Sequence, residues 1–279
     1  MDFFDLHCDT AYEMYLKNEG FCENNLAVSA KLGECFENWA QTFAIWIKED
    51  TKQPFLFYKN VLSHLKRSLY GKVTPIFAVE GGSVIEDKID RLYELKKDGI
   101  KFLTLTWNNE NLIAGGVNSE KGLSAFGKDV ITQMNKIGMA ADVSHLNDKS
   151  FYDVIEIADR VIATHSNCRS ICGNKRNLTD SQIKLLAQKG GIIGLNFYPP
   201  FLGDSFYDDI YKNIYHLCEM GLENNIAIGS DFDGAVMPKE MKNVSKIPDL
   251  HAKLLEMGLK KDLLYKIFYK NGYDFTTNL

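Results

Sequence analysis

The sequence predicts an α/β fold, a (β/α)8 TIM barrel built as one domain over residues 1–279, on three observations. Short apolar runs alternate with amphipathic segments of helical spacing, eight times over. The chain has 279 residues and 45% hydrophobic content, enough to bury one large core, and no Pro/Ser/Gly-rich linker, internal repeat or low-complexity tract divides it. Third, the stretch from Gly138 to Asn177 reads as strand, helix, strand, and the two strands of such a unit must be parallel.

In chain order, strand 1 is FFDLH, running into His7-Cys8-Asp9, where alternation points His7 and Asp9 to one side. After a polar stretch, residues 40–48 (AQTFAIWIK) form strand 2, and the segment through Tyr70 is its helix. VTPIFAVEGG is strand 3, closing on Glu80 and two glycines that permit a tight turn. A helix carrying Ile89, Leu92 and Tyr93 stops at Gly99, and IKFLTLT is strand 4, ending at Trp107. Leu123, Phe126, Val130, Met134 and Ile137 mark the next helix, capped by Gly138.

Strand 5, GMAADVSH, delivers His145 at its end, and strand 6, RVIATHSN, delivers His165. Between them Asn147 caps a helix with Phe151, Val154, Ile155 and Ala158 inward, so both imidazoles emerge at the same end of the sheet. Thr179 and Gln182 form a capping box for the following helix. GGIIGLNFY is strand 7, ended by Pro199-Pro200. A helix with Ile210, Ile214 and Leu217 leads to strand 8, NIAIGSDFDG, which ends at Asp231, and helices around Leu254 and Ile267 follow.

A net charge of −5 with scattered basic residues argues against a nucleic-acid surface or an anionic membrane and for a small-molecule substrate. The start, MDFFDLHCDT, has no basic n-region or apolar h-region, and no apolar run is long enough to span a bilayer, so a cytoplasmic protein is expected. There the six cysteines stay reduced, and Cys168 and Cys172, lacking Cys-x-x-Cys spacing, are packing residues. A homodimer is compatible with this composition.

Five of the eight strands therefore end in a group able to bind metal or move a proton: His7 with Asp9, Glu80, His145, His165 and Asp231. The other three histidines, His64, His216 and His251, fall on helices as surface or packing residues. One strand-end histidine is ordinarily a hydrogen-bonded core residue, but this many ionisable groups at one rim would oppose folding unless a cation neutralised them. Nitrogen and carboxylate donors without cysteine favour Zn2+, with Mn2+ or Co2+ as alternatives. The pattern predicts two ions, one held by His7, Asp9 and Glu80 and the other by Glu80, His145 and His165, with an activated hydroxide between them. Asp231, rather than Asp233, is placed to carry a proton to the leaving group. Arg176, on the loop after strand 6, could clamp a carboxylate bidentately, with Lys175 as its competitor.

An ordered set of segments then resembles the membrane (renal-type) dipeptidase family of zinc peptidases, among the amidohydrolase-like barrels. They are His-x-Asp in DLHCDT, VEGG around Glu80, LTLT before Trp107, VSH at His145, THS at His165, Arg176-Asn177, NFY at residues 196–198 and GSDFDG. The resemblance implies two zinc ions on His7, Asp9, Glu80, His145 and His165, with Glu80 bridging. It also implies Arg176 as binder of the substrate's terminal carboxylate, Asp231 as proton shuttle, and hydrolysis of dipeptides with tolerance for a D-residue on the C-terminal side. Animal members carry a substrate-contacting histidine where this chain has Trp107. That role is then weakened, or supplied by a group such as Asn108, or the substrate differs; a tryptophan walling the pocket is the plainer reading.

The function expected is a zinc dipeptidase with Asp231 and Glu80 catalytic and Arg176, Trp107 and Asn108 binding substrate. The rivals are a binuclear hydrolase of N-acyl amino acids, lactones or phosphoesters, and a metal-binding relative without turnover.

Overall fold

The computed structural model describes residues 1–279. Strands and helices alternate as β1 (Phe3–Cys8), α1 (Thr10–Lys17), β2 (Trp39–Trp46), α2 (Pro54–Ser68), β3 (Val73–Glu80), α3 (Arg91–Asp98), β4 (Ile100–Thr104) and α4 (Ala125–Ile137). They continue as β5 (Ala140–Asp142), α5 (Asp148–Ile157), β6 (Val161–Ile162), α6 (Asp180–Gln188), β7 (Ile193–Leu195), α7 (Pro199–Leu202), α8 (Phe206–Glu219) and β8 (Ile226–Ile228). Three helices follow, α9 (Ile247–Glu256), α10 (Lys261–Tyr265) and α11 (Asn271–Thr277).

Every strand pairing is parallel, in the order β6-β5-β4-β3-β2-β1-β8-β7. The two outer strands meet through a single parallel bridge, Ala163 to Ile193, so the barrel is nearly closed. Glycine makes that closure possible: a Cβ on Gly194 or Gly229 would strike the backbone carbonyl of Thr164. A core cluster of 63 buried residues lies between strands and helices. A separate cluster of ten includes residues in or next to all eight strands, half of them alanines (Ala40, Ala44, Ala78, Ala140 and Ala227), and so fills the barrel itself. Tyr269, Phe275 and Leu279 pack against that inner cluster and cover the end of the barrel remote from the strand C-termini.

The helix caps fall where local chemistry dictates. Asn147 accepts from Ser150 N–H, Thr179 and Gln182 complete a reciprocal capping box, and Gly99 and Gly138 adopt the left-handed conformation at helix ends.

The later strands are shorter than the apolar runs suggest, and this corrects the expected placement of the histidines. Strands β5 and β6 stop at Asp142 and Ile162, so His145 and His165 each stand three residues beyond, in turns. Strand β8 likewise stops at Ile228, before Asp231. The cause is a side chain that replaces the ladder: Asp142 Oδ1 accepts the N–H groups of both Ser144 and Thr164 at 3.0 Å. Asp5 repeats the device, its Oδ1 accepting from His7 N–H at 3.3 Å and Ser230 N–H at 2.9 Å. Asp9 is not a strand residue but the N-cap of α1, and Pro199-Pro200 open α7 besides ending a strand.

Candidate metal centre and active site

Parallel strands bring their C-terminal ends to one rim, and the ionisable groups meet there. Glu80, the last residue of β3, lies between three imidazoles. Its Oε1 is 2.7 Å from His145 Nε2 and 3.7 Å from His165 Nε2, and its Oε2 is 3.4 Å from His7 Nε2. His7 Nε2 is also 3.4 Å from Asp9 Oδ2 and 4.0 Å from Asp231 Oδ1. Two sets, His7 with Glu80 and His165, and His7 with Asp9 and Asp231, each have their donor atoms within 4.8 Å of one another. All six residues are buried. The two sets share His7, whereas the grouping expected from spacing shares Glu80.

Hydrogen bonds behind the rings fix their tautomers. The Thr164 hydroxyl has one proton, and it goes to Asp142 Oδ2 at 2.6 Å, because that carboxylate only accepts. Thr164 Oγ1 must therefore accept from His165 Nδ1–H at 2.9 Å. His145 Nδ1–H donates in the same way to Asn108 Oδ1 at 2.9 Å. Both Nε2 atoms are then lone pairs, and they face each other across 2.9 Å, an arrangement that repels unless a cation lies against both. His7 Nε2 is buried with no hydrogen-bond partner at all. The donors present fit divalent ions.

The electrostatics agree. Burial drives the pKa values of His145, to about 4, and of His165 below the ordinary imidazole range, keeping both rings neutral with an unprotonated nitrogen. Burial and the Glu80 charge push Asp9 up to about 8, and burial takes Asp231 up to about 6. For Glu80 burial acts upward, but the charge of His7, whose own pKa that carboxylate raises well above the ordinary imidazole range against burial, is the chief counterweight and holds the carboxyl well below its usual range. Backbone strain is concentrated here as well: His145 and Asp231 adopt φ of 72° and 65°, a left-handed conformation costing roughly 1–2 kcal/mol per non-glycine residue.

Arg176 is buried beside the cluster, its guanidinium 5.3 Å from the Phe201 ring, with Nη2 donating at 3.4 Å to the His165 carbonyl and Nε lacking a partner. No carboxylate lies within 4.0 Å of it, a costly state for a buried cation. Lys175 instead points outward to Asn118. Asp231 Oδ2 is held by Asn196 Nδ2 at 3.0 Å, while Asp233 fastens its loop by accepting from Thr10 and Ala27. Trp107 and Asn108 line a cavity of about 400 Å3 with Tyr12, Trp46, Tyr198 and Phe201, and Asn108 also orients His145. His64 bonds the Glu19 carbonyl, His216 pairs with Asp180 and His251 packs on Phe268, all away from this rim.

Sequence reasoning missed Asp5, Asp142, Thr164 and Asn196. The signal for the two aspartates was present: a carboxylate inside an otherwise apolar strand, in FFDLH and AADVSH, needs several donors around it.

A parallel barrel with histidines and carboxylates converging at the strand C-termini is an architecture in which metal-dependent hydrolases place their chemistry. The model of the membrane dipeptidase family, peptidase family M19, matches residues 40–273. The chain belongs to that family and is thereby a metallopeptidase of the dipeptidase class; the His7–Asp9 claw precedes the matched stretch. A Klebsiella pneumoniae protein of the pqqA 5′ region is 33% identical over 74% of this chain and 83% of its own length. An uncharacterized dipeptidase of Schizosaccharomyces pombe is 31% identical over 67% of this chain, which spans about half (48%) of that relative's length. Among solved structures, the dipeptidase AC metallopeptidase superposes with a TM-score of 0.90 at 22% identity, covering 99% of this chain and 98% of that one. A Rhodobacter sphaeroides metallopeptidase liganded with a phosphinate mimic of L-Ala-D-Ala gives 0.87 at 22% identity over 99% of both. No helix is long and apolar enough to cross a membrane.

Proposed function

We propose that this chain, acting as one catalytic unit, hydrolyses dipeptides with a free C-terminal carboxylate, with two divalent ions, zinc first among them, held by His7, Asp9, Glu80, His145 and His165. The observation that carries this reading is the pair of opposed Nε2 lone pairs of His145 and His165 beside Glu80, with each Nδ1–H engaged elsewhere. Ions bound there supply Lewis acidity toward the scissile carbonyl and a water of lowered pKa.

Arg176 binds the substrate's carboxylate, which neutralises a buried guanidinium otherwise without a counter-charge. Fixing that end fixes the scissile bond against the cluster. Asp231, with Oδ2 tied to Asn196, keeps Oδ1 free to hold a proton and pass it to the departing amine. Its carboxyl, raised to about 6, is suited to exchanging a proton near neutrality. The aromatic walls give up their water to a bound substrate, which lowers the polarity around the scissile bond. Tolerance of a D-residue on the C-terminal side is supported by the L-Ala-D-Ala mimic bound in the structural relative. The enzyme works in the cytoplasm, where exposed Cys22 and Cys35 stay reduced.

The test is a dipeptide library, with N-acyl amino acids, lactones and phosphoesters alongside, assayed on chelator-stripped and zinc-reconstituted protein. Turnover of dipeptides only after reconstitution is expected; turnover of another class alone, or undiminished activity without metal, would overturn the reading.

A further inference from the structure

We propose that Tyr12, Trp46 and Trp107 form the subsite for the substrate's N-terminal side chain and select dipeptides in which that side chain is aromatic or bulky and apolar. This rests on the dipeptidase reading and narrows its substrate class. The three rings make a continuous arc. Tyr12 meets Trp46 edge-on with centroids 5.0 Å apart, Trp46 meets Trp107 at 5.1 Å, and Trp107 leans over the His145 ring at 6.3 Å. All three line the same cavity of about 400 Å3 and are only partly buried, so broad apolar faces stay wet until something covers them.

Topology places this arc opposite the carboxylate clamp. Trp46 is the in-register neighbour of Glu80 on β2, and Trp107 follows β4, so the two indoles flank β3. Arg176 follows β6, and its stacking partner Phe201 follows β7, which lies across the eight-strand ring from β3. A dipeptide with its carboxylate on Arg176 and its scissile bond over Glu80 therefore projects its N-terminal residue toward Trp46 and Trp107. The loop that carries Trp107 is tied down: Val117 N–H bonds the His145 carbonyl, Asn118 N–H bonds the Asn108 carbonyl, and a Cβ on Gly116 would strike the Trp107 carbonyl. An indole at position 107 cannot exchange a proton at neutral pH, so its contribution is surface and one N–H.

The zinc-reconstituted full chain is assayed with Phe-Ala, Leu-Ala, Gly-Ala and the reversed Ala-Phe. Phe-Ala and Leu-Ala should exceed Gly-Ala in kcat/KM by about tenfold or more, within the range that one apolar pocket can discriminate, and Ala-Phe should gain no such advantage. Trp107→Ala should collapse the Phe-Ala to Gly-Ala ratio, and Trp107→Phe should preserve it. Calorimetry with phosphinate dipeptide analogues bearing a benzyl or a methyl group at the N-terminal position gives a readout without turnover, with benzyl bound tighter by a similar factor. Dipeptide hydrolysis at comparable rates for all four substrates would overturn the subsite and leave the dipeptidase reading standing. If no dipeptide is cleaved, the dipeptidase reading fails, and equal binding of the two analogues would then overturn the subsite as well.

Discussion

Asp142 touches none of the groups that converge on the cluster, yet it sets the tautomer of one of them. Its Oδ2 accepts from both Thr104 and Thr164 at 2.6 Å, and Thr164 in turn receives His165 Nδ1–H. Replacing it with Asn offers Thr164 a donor and removes the reason for its orientation. Asp142→Asn should weaken metal affinity about 10–100-fold, measured by competition with a chromophoric chelator, and saturating metal should restore much of the activity. At Arg176, Lys keeps the charge and loses the fork, so Arg176→Lys should raise KM for free-carboxylate dipeptides by roughly tenfold or more. An equal loss on C-terminally amidated substrates would count against the clamp. In the metal-free protein the Asp9 carboxyl, raised to about 8 by burial and by Glu80, is protonated at neutrality. An arriving ion must displace that proton, so apparent affinity should weaken as pH falls below about 8, with proton release visible as a buffer-dependent heat in calorimetry.

The loops that carry Trp107 and Asp231, more than the strands, define the site. Gly116 lies where a Cβ would collide with the carbonyls of Trp107, Asn108 and Asn109. Backbone atoms cannot swing aside as side-chain ends can, so Gly116→Ala should displace the 107–118 loop, lower kcat/KM by an order of magnitude or more, and cost on the order of 1–3 kcal/mol in urea unfolding. Most of the elements were legible in the sequence, because apolar runs and caps such as Asn147, Thr179, Gly99 and Gly138 are local signals. The ends of β5, β6 and β8 were not. Where Asp142 and Asp5 take the place of ladder partners, an apolar run outlasts its strand, and a rule based on alternation cannot register the exchange. The same limit hid Thr164 and Asn196, whose parts depend on neighbours far off in the chain, whereas His7, Glu80 and His165 stood out as ionisable groups closing apolar runs.

On the scale of the whole molecule, near closure of the barrel forces a cluster of mutually repelling groups into one buried rim. Gly194 and Gly229, pressed on the Thr164 carbonyl, keep β6 and β7 close enough for His165 to reach His7, their ring centroids 3.8 Å apart. Ions that bind only the folded chain stabilise it by mass action, about 2.7 kcal/mol at a free concentration of 100 Kd. Chelator treatment should therefore lower Tm by several degrees in scanning calorimetry, and added zinc should restore it, whereas a Tm indifferent to chelator would mean that the rim is relieved without metal. The central claim is that the buried donors of β1, β3 and the turns after β5 and β6 exist to hold divalent ions. Anomalous diffraction at the zinc edge from crystals of the zinc-loaded protein tests it most directly. The account predicts two peaks among His7, Asp9, Glu80, His145 and His165; density at zinc elsewhere, with those side chains bonded only to one another, would contradict it.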